Sequence, residues 1–358
     1  MPSIPNLFVS GYTEEGYGAG PGLVSFELLA DGLVGERRTE SSTVVNPSFV
    51  IAGGSYLLAA EEGPQGKVVA VDPVTLDVAG RVPTGGADSC HVALIEDQVW
   101  AANYSSGNAS VVPLSALIAG EQVSPRILAH PGSGPLPERQ GESHAHQVTA
   151  TPWGTALVAD LGADRVDEYA LAAGGFALLG SAQLPPGAGP RHVALKGDFL
   201  LVAGELDGYL HVLQRTSRDA DSDHFWRWLF KSPLAGSAQA VEDSEEFYPS
   251  HIELSEDGGK LYAAVRGPNT LVVLDVSGLD VSGLDSSTTP APPRFLGAVS
   301  SGGNWPRHFA LDTANGKIYV ANQLSNNVAV FALDGHGLPG AEPVQSLEFG
   351  SPTCILIA

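Results

Sequence analysis

The feature that most constrains the fold is an internal repeat, in which a Pro-x-His triplet leads into a short apolar run. The clearest copies begin at Pro190, Pro249 and Pro306, and each is followed by two further apolar runs at similar distances. Short apolar runs bounded by Gly, Pro, Asn and Asp are typical of buried β-strands. Each copy therefore predicts one small β-sheet, and the repeat predicts an array of such sheets.

Looser copies extend the repeat through the whole chain. The position of the triplet histidine is assigned, in chain order, to Phe49, His91, His146, His192, His251, His308 and Cys354. Their mean separation of about 51 residues lies in the range expected for repeats that each form a small β-sheet. Seven such units account for nearly all of the 358 residues.

The two ends of the chain complete each other. The last copy, residues 351–358, stops after its first strand, and its missing strands stand at the other end as residues 7–11 and 22–28. A ring whose first and last strands share one sheet explains this division, and closure also removes exposed sheet edges. We therefore predict a single all-β domain, residues 1–358, that forms a seven-bladed β-propeller of four-stranded blades sealed by its two termini.

Charge and composition exclude several functional classes. The formal net charge of −22 argues against nucleic-acid binding, which needs a basic surface. No apolar run approaches the ~20 residues that cross a bilayer, so no membrane association is expected. The first residues lack the basic and apolar regions of a signal peptide, which predicts a cytoplasmic protein. Neither a P-loop nor a dinucleotide fingerprint is present, and no cofactor is expected.

Departures from the repeat indicate where a site lies, because equivalent positions in a ring have similar surroundings. The residue that follows the second strand is assigned, in chain order, to Tyr12, Glu61, Tyr104, Leu161, Glu205, Arg266 and Gln323. The uncharged members show that the scaffold needs no charge at this position. Glu61, Glu205 and Arg266 are therefore candidate site residues.

The residue before the triplet histidine gives a second series. Its members are assigned as Ser48, Cys90, Ala145, Arg191, Ser250, Arg307 and Thr353. Small residues fit the crowded axis of a propeller, so Arg191 and Arg307 stand out. They predict either a polar pocket at one mouth of the channel, with nearby carboxylates, or salt bridges that tie blades together.

The histidines carry two interpretations. Recurrence at one repeat position favours a structural task, such as a hydrogen bond to a neighbouring blade. His144 and His146 differ, because residues i and i+2 of a strand share a face. Such a pair can bind a metal, but no third ligand stands at a diagnostic spacing. We predict no metal site and favour acid, base or donor roles for these two rings.

Several motifs resemble the seven-bladed-propeller lactonase family, which includes the propeller-type 6-phosphogluconolactonases and the carboxy-muconate lactonising enzymes. The resembling runs are Asn46-Pro-Ser-Phe, Ala102-Asn-Tyr-Ser-Ser-Gly-Asn, His144-Ala-His, Pro186-Gly-Ala-Gly-Pro-Arg-His, Gly204-Glu-Leu, Tyr248-Pro-Ser-His, Val265-Arg-Gly and Ala321-Asn-Gln. The resemblance implies a site made of His144 or His146 with Arg191, Glu205 and Arg266. As further substrate-binding candidates we take His144, Glu61, Arg307, His192 and Asn103.

The resemblance implies hydrolysis of a sugar lactone, with 6-phospho-D-glucono-1,5-lactone as the first candidate substrate. Opening a lactone needs a base, which we assign to Glu205 with His146 as its competitor. Arg191 and Arg266 would stabilise the developing oxyanion, and one of them or Arg307 could instead bind a phosphate. The alternatives are a carboxy-muconate lactonising enzyme and a non-catalytic binding or scaffold propeller.

Further expectations concern the substrate, the oligomeric state and one long segment of the chain. The small-molecule substrate is expected to be anionic, and the protein to be a monomer or a weak homodimer. Residues 215–247, which contain Trp226 and Trp228, exceed what a plain repeat requires. We interpret them as a short helix packed on the outside of the ring or, less favoured, as a surface for a partner.

Overall fold

The computed structural model describes residues 6–172, 175–216, 226–279 and 290–358, and its strands form seven antiparallel sheets of four strands each. The first blade contains β28 (Pro352–Ile357), β1 (Asn6–Gly11), β2 (Leu23–Leu28) and β3 (Val34–Ser41); the second β4 (Pro47–Gly53), β5 (Tyr56–Glu61), β6 (Lys67–Val71) and β7 (Val78–Pro83); the third β8 (Ser89–Ile95), β9 (Gln98–Asn103), β10 (Asn108–Pro113) and β11 (Arg126–Ala129). The fourth blade contains β12 (Ala145–Ala150), β13 (Thr155–Asp160), β14 (Arg165–Ala172) and β15 (Gly175–Gln183); the fifth β16 (Pro190–Lys196), β17 (Phe199–Gly204), β18 (Tyr209–Arg215) and β19 (Trp226–Pro233). The sixth contains β20 (Tyr248–Leu254), β21 (Lys260–Arg266), β22 (Thr270–Asp275) and β23 (Arg294–Ser300); the seventh β24 (Pro306–Asp312), β25 (Lys317–Asn322), β26 (Asn327–Ala332) and β27 (Gln345–Glu348).

Short helices decorate the loops between these strands. They are α1 (Leu114–Ile118), α2 (Pro137–Gln140) and α3 (Ala238–Glu242), with one 3-10 turn at Ser277–Leu279. Among the described residues, none of the helices has the length and apolar character that a membrane crossing requires.

The sheets close into a ring, as the sequence predicts. The first strand of each blade contacts the first strand of the next, and β28 lies between β24 and β4 to complete the circle. β28 also pairs with β1, where Leu7 stands opposite Ile357 and Val9 opposite Ile355. The two ends of the chain thus share one blade, which confirms the predicted seal.

Apolar packing between neighbouring blades holds the ring together. Each of the seven blade-to-blade interfaces has its own buried apolar cluster. In β17, Phe199 and Leu201 pack towards the sixth blade, while Leu200 and Val202 pack towards the fourth. Burial on both faces explains why the inner strands are almost continuously apolar rather than alternating.

The segment 215–247 is not an external insertion. Trp226–Pro233 forms β19, the outer strand of the fifth blade, and pairs with β18 from Arg215 opposite Trp226 onwards. The expected short helix is present as α3, but the aromatic residues belong to the strand, because the edge of β18 needs a fourth strand to satisfy its backbone groups. Residues 217–225 of this segment lie outside the described residues.

Closure by the last strand predicts that truncating a buried side chain of β28 to alanine destabilises the protein far more than truncating an exposed valine. Ile355 of β28 is 2% exposed and belongs to the cluster between the seventh and first blades, whereas Val344 is 52% exposed. We expect Ile355→Ala to lower the free energy of unfolding by about 2–5 kcal/mol, and Val344→Ala to change it by less than about 0.5 kcal/mol. Urea unfolding measures both, and equal midpoints for wild type and Ile355→Ala would contradict the predicted closure.

Candidate active site

A bulge near the start of every inner strand builds the site. In β4 and β5, Pro47 stands opposite Glu61 and Phe49 opposite Ala60, so that Ser48 has no partner in the ladder. The six other inner strands have a register shift at the same place. A bulge locally disrupts the ladder and re-aims a side chain. The seven bulged positions therefore form a second ring of side chains at one end of the channel.

The bulges fix which residues are equivalent, and they correct the series of residues that precede the triplet histidine. The equivalent residues are Ser48, Cys90, His146, Arg191, Ser250, Arg307 and Thr353. Ala145 stands opposite Asp160 and so takes the place of the proline. His146 is thus equivalent to Arg191 and Arg307, and Gln147 occupies the position that we assigned to His146. The sequence alignment was wrong by one residue here because the fourth blade lacks the guiding proline.

The series of residues that follow the second strand is wrong by one residue in the second blade. The backbone amides of Tyr104 and Glu205 each donate to the carbonyl group just before their inner strand, and Glu62 makes the same contact to the carbonyl of Asn46. Glu62, not Glu61, is therefore equivalent to Glu205. Both carboxylate oxygens of Glu61 bind Arg81, at 2.8 and 2.9 Å, and one also accepts from the amide of Val45. Glu61 fixes the second blade and is not available as a substrate ligand.

The carboxylate of Glu205 is the centre of the site, and three guanidinium groups surround it. Arg139 Nη2 lies 2.6 Å from Oε1, while Arg266 Nη2 and Arg191 Nε lie 2.7 and 2.9 Å from Oε2. Arg191 Nη1 also donates to the carbonyl of Ser250, at 2.6 Å. The cluster thus joins the fifth and sixth blades, which the salt-bridge interpretation of the sequence had predicted. It also leaves two positive charges in excess.

The arginines set the protonation state of this cluster. Burial alone would raise the pKa of Glu205, but Arg266 and Arg191 outweigh it and hold the pKa well below its usual range. Burial, followed by the charge of Arg266, lowers the pKa of Arg191 to about 9, which leaves its guanidinium charged at neutral pH. The Arg191 Nε–H group has no aligned acceptor, so its contact with Glu205 is ionic rather than a good hydrogen bond.

His146 lies in the same pocket as a neutral base. Its ring is edge-on to the rings of Tyr104 and His192, with centroids 5.6 and 5.7 Å away. Burial lowers the pKa of His146 well below its usual value, and the charge of Arg191 lowers it further. Glu205 also influences this pKa, which places His146 in the electrostatic range of the arginine cluster.

Arg139 is a site residue that the sequence reasoning missed. It lies in α2, within the long loop 130–144, and reaches Glu205 from outside the repeat. The loop is held down by Gln140, whose amide donates to the carbonyl of Leu161 and to Asp164. Arg139 is the only lysine or arginine of that loop, and this is the signal that could have identified it.

Arg307 forms a second group across the ring from Glu205. Its guanidinium lies 3.4 Å from Glu62 Oε2 and 3.4 Å from Gln323 Oε1, and it stands over the ring of Tyr12 at 5.1 Å. The hydroxyl of Tyr12 donates to the same oxygen of Glu62, at 2.6 Å. The predicted Arg307 therefore has its acidic partner in Glu62.

Two further predicted residues, His144 and Asn103, contact the third blade. His144 stacks on Tyr104, with ring centroids 4.5 Å apart, and its Nδ1 lies 3.0 Å from the Tyr104 carbonyl oxygen. Asn103 is fully buried, with its amide bound to Ser89 and Asn108 of its own blade. Within the described part of the chain, no three His, Cys, Asp or Glu side chains come together as metal ligands would.

His192 belongs to a layer of aromatic rings around the channel axis, because His192, His251 and His308 occupy equivalent places in three neighbouring blades. Its Nδ1 lies 2.8 Å from Nδ1 of His251, and His251 stacks on His308 at 4.0 Å. His308 in turn accepts a hydrogen bond from the backbone amide of Ile355 in the next blade, as the structural interpretation of these histidines predicts. Burial lowers the pKa of all these rings, and in His251 to about 3. The layer of His192, His251 and His308 is therefore uncharged at neutral pH.

Comparison with known proteins gives one family and several full-length relatives. A family model described as "Lactonase, 7-bladed beta-propeller" matches residues 6–357. The chain is 30% identical to a 6-phosphogluconolactonase of Bacillus subtilis, over 91% of this chain and 90% of the relative. A 6-phosphogluconolactonase of Formosa agariphila is 23% identical, over 92% of both chains. Among solved structures, a periplasmic gluconolactonase of Pseudomonas aeruginosa superposes with a TM-score of 0.82 at 27% identity, over 99% of both chains.

The uncharged histidine layer predicts that the free energy of unfolding falls in acid. The pKa of His251 is lower in the folded protein than in the unfolded chain, where it is about 6.5. Below pH 6.5 the unfolded chain binds a proton that the folded protein does not, so the folded state loses about 1.4 kcal/mol per pH unit for this residue.

Urea unfolding at pH 7, 6 and 5 measures this effect. We expect His251→Gln to have a shallower pH dependence than wild type, by about that amount per pH unit. His336→Gln, at an exposed histidine, should leave the wild-type slope unchanged. The same slope in wild type and His251→Gln would show that His251 is not held neutral.

Proposed function

We propose that this chain, which belongs to the seven-bladed β-propeller lactonase family, hydrolyses the cyclic ester of a sugar lactone, with 6-phospho-D-glucono-1,5-lactone as the candidate substrate. The observation that carries the proposal is the buried Glu205 carboxylate among three guanidinium groups, with the neutral imidazole of His146 beside them. The names of the Bacillus and Pseudomonas relatives support a lactone as the substrate.

A positive surplus in this chain is a local exception. The protein carries a formal charge of −22, yet Arg139, Arg191 and Arg266 together exceed Glu205 by two charges. Ester hydrolysis passes through a tetrahedral intermediate whose former carbonyl oxygen becomes an oxyanion. Donors fixed in a buried site stabilise such an oxygen far better than donors in water. Arg191 and Arg266 are the donors assigned to the oxyanion, as the two buried guanidinium groups that Glu205 holds in place.

The base is better assigned to His146 than to Glu205. The sequence led us to favour Glu205, but a carboxylate held by three arginines has a lowered pKa and hence little tendency to accept a proton. The neutral imidazole of His146 takes part in no ion pair among the described residues, so it is the group left to accept the proton, as a weaker base than a free imidazole because burial lowers its pKa. In this account Glu205 is a positioning residue, which holds the three guanidinium groups in place.

In the proposed hydrolysis, His146 transfers one proton from the attacking water to the ring oxygen. His146 removes a proton from a water molecule as the water oxygen adds to the lactone carbonyl carbon. The intermediate collapses with cleavage of the bond between that carbon and the ring oxygen. Protonated His146 returns the proton to the ring oxygen, which becomes a hydroxyl group. The carboxylic acid formed releases its proton to solvent, and the product is an anion that the arginines bind.

The other expectations from the sequence stay predictions. They are the anionic character of the substrate, a cytoplasmic location and a monomeric or weakly dimeric state. Turnover of a carboxy-muconate without lactone hydrolysis would favour the cyclase alternative, and activity on neither would favour a binding protein.

A base of lowered pKa predicts the pH profile of the reaction. His146 is neutral above its pKa, so its lowered pKa keeps the base competent below pH 6.5 and places the acidic limb of kcat/KM below that value. We expect His146→Gln to lower kcat/KM by about 10²–10⁴-fold and to abolish that limb. Hydrolysis above the spontaneous rate measures both, with His336→Gln as a control, and an unchanged rate in His146→Gln would remove His146 from the mechanism.

The same profile separates a base from a positioning residue at Glu205. We expect Glu205→Gln to destabilise the protein by about 3–5 kcal/mol, because it leaves buried guanidinium groups unpaired. The activity of the folded fraction should fall, while the acidic limb that belongs to His146 persists. Loss of that limb in Glu205→Gln, with its retention in His146→Gln, would return the base to Glu205.

A further inference from the structure

The mouth of the channel has two poles of unlike charge. His146, Arg191, Glu205 and Arg266 come from the fourth, fifth and sixth blades. The group made of Arg307, Glu62 and Tyr12 comes from the seventh, second and first blades, on the other side of the axis. With Arg139, which reaches Glu205 from α2, the first pole has two excess positive charges, whereas Arg307 and Glu62 cancel.

Arg307 is held more loosely than the other arginines. Its contacts with Glu62 and Gln323 are both 3.4 Å long, whereas the three arginines around Glu205 approach it to between 2.6 and 2.9 Å. The Arg307 side chain is 17% exposed, compared with 3% for Arg191. An anion that reaches this pole can therefore take hydrogen bonds from Arg307 without first breaking a tight ion pair.

Both poles lie at the same end of the channel. His146, Arg191 and Arg307 occupy the equivalent bulged positions of the fourth, fifth and seventh blades, so their side chains belong to one ring around the axis. A six-membered lactone whose carbonyl group lies at His146 and Arg191 would direct its remote substituent across the axis, towards Arg307.

We propose that Arg307 and Glu62 form a second subsite that reads the remote substituent of the lactone. This step rests on the proposed function. Arg307 binds a phosphate monoester at that end, because a planar guanidinium donates two parallel hydrogen bonds to phosphate oxygens. Glu62 has the opposite effect, since its carboxylate repels the phosphate and accepts hydrogen bonds from an uncharged hydroxyl group. Tyr12 fixes Glu62 in this position through the 2.6 Å hydrogen bond.

The two residues should therefore shift substrate preference in opposite directions. The test compares 6-phosphoglucono-1,5-lactone with glucono-1,5-lactone, which share the reacting ring and differ only in the remote substituent. The measured quantity is the ratio of their kcat/KM values. Arg307→Gln should lower this ratio by about 10-fold or more, the range of a hydrogen bond to a charged group. Glu62→Gln should raise it by about 3-fold or more, because a repulsive element has been removed.

A matched control removes one positive charge elsewhere. Arg294 lies on the outer strand β23, is 71% exposed and pairs with Asp275. Arg294→Gln should keep the wild-type ratio, which excludes an effect of net charge alone. Circular dichroism and thermal unfolding check that each variant is folded, and the opposite sign expected for Glu62→Gln cannot result from partial unfolding.

Binding of the two products keeps this test independent of turnover. Calorimetry with 6-phosphogluconate and with gluconate should show the same selective loss in Arg307→Gln. If the wild type hydrolyses neither lactone, the proposed function is wrong, and the binding ratio still decides the subsite. An equal change for both substrates and both products in Arg307→Gln, or an unchanged ratio in both variants, would overturn the proposal.

Discussion

Closure of the ring by β28 is the constraint on which the rest of the structure depends. An open array of seven sheets would expose two apolar blade faces and two strand edges, and the pairing of β28 with β1 removes both. Closure also brings seven copies of one backbone position round a common axis. Side chains from distant parts of the chain, such as Tyr12, Glu205 and Arg307, thereby meet at one end of the channel.

The charges at the mouth are costly to the fold and useful for chemistry. Burying a carboxylate with several guanidinium groups seldom adds net stability, because desolvation offsets the attraction. The scaffold does not require such a cluster, since Tyr104 and Leu161 occupy positions equivalent to Glu205. The neighbouring layer of His192, His251 and His308 avoids the cost of burying charge, because these rings stay neutral. Function therefore accounts for the arginines better than stability does.

The architecture was predictable from the sequence because the strand pattern repeats, but the exact equivalences were not. The fourth blade lacks the guiding proline, so Ala145 is aligned where His146 belongs. In the second blade Glu61 is itself the last residue of β5, where Asn103 and Gly204 end β9 and β17, so Glu61 is aligned where Glu62 belongs. The departures from symmetry still identified Glu205, Arg191, Arg266 and Arg307. Arg139 escaped because its loop lies outside the repeat and reaches Glu205 only through tertiary packing.

A crystal structure with 6-phosphogluconate, the product of the proposed reaction, tests the central claim most directly. The account predicts that the product carboxylate lies beside His146 within hydrogen-bond distance of Arg191, and that the phosphate lies against Arg307. A product bound on the rim of the ring or at the opposite mouth of the channel, with His146 and Arg191 untouched, would contradict it.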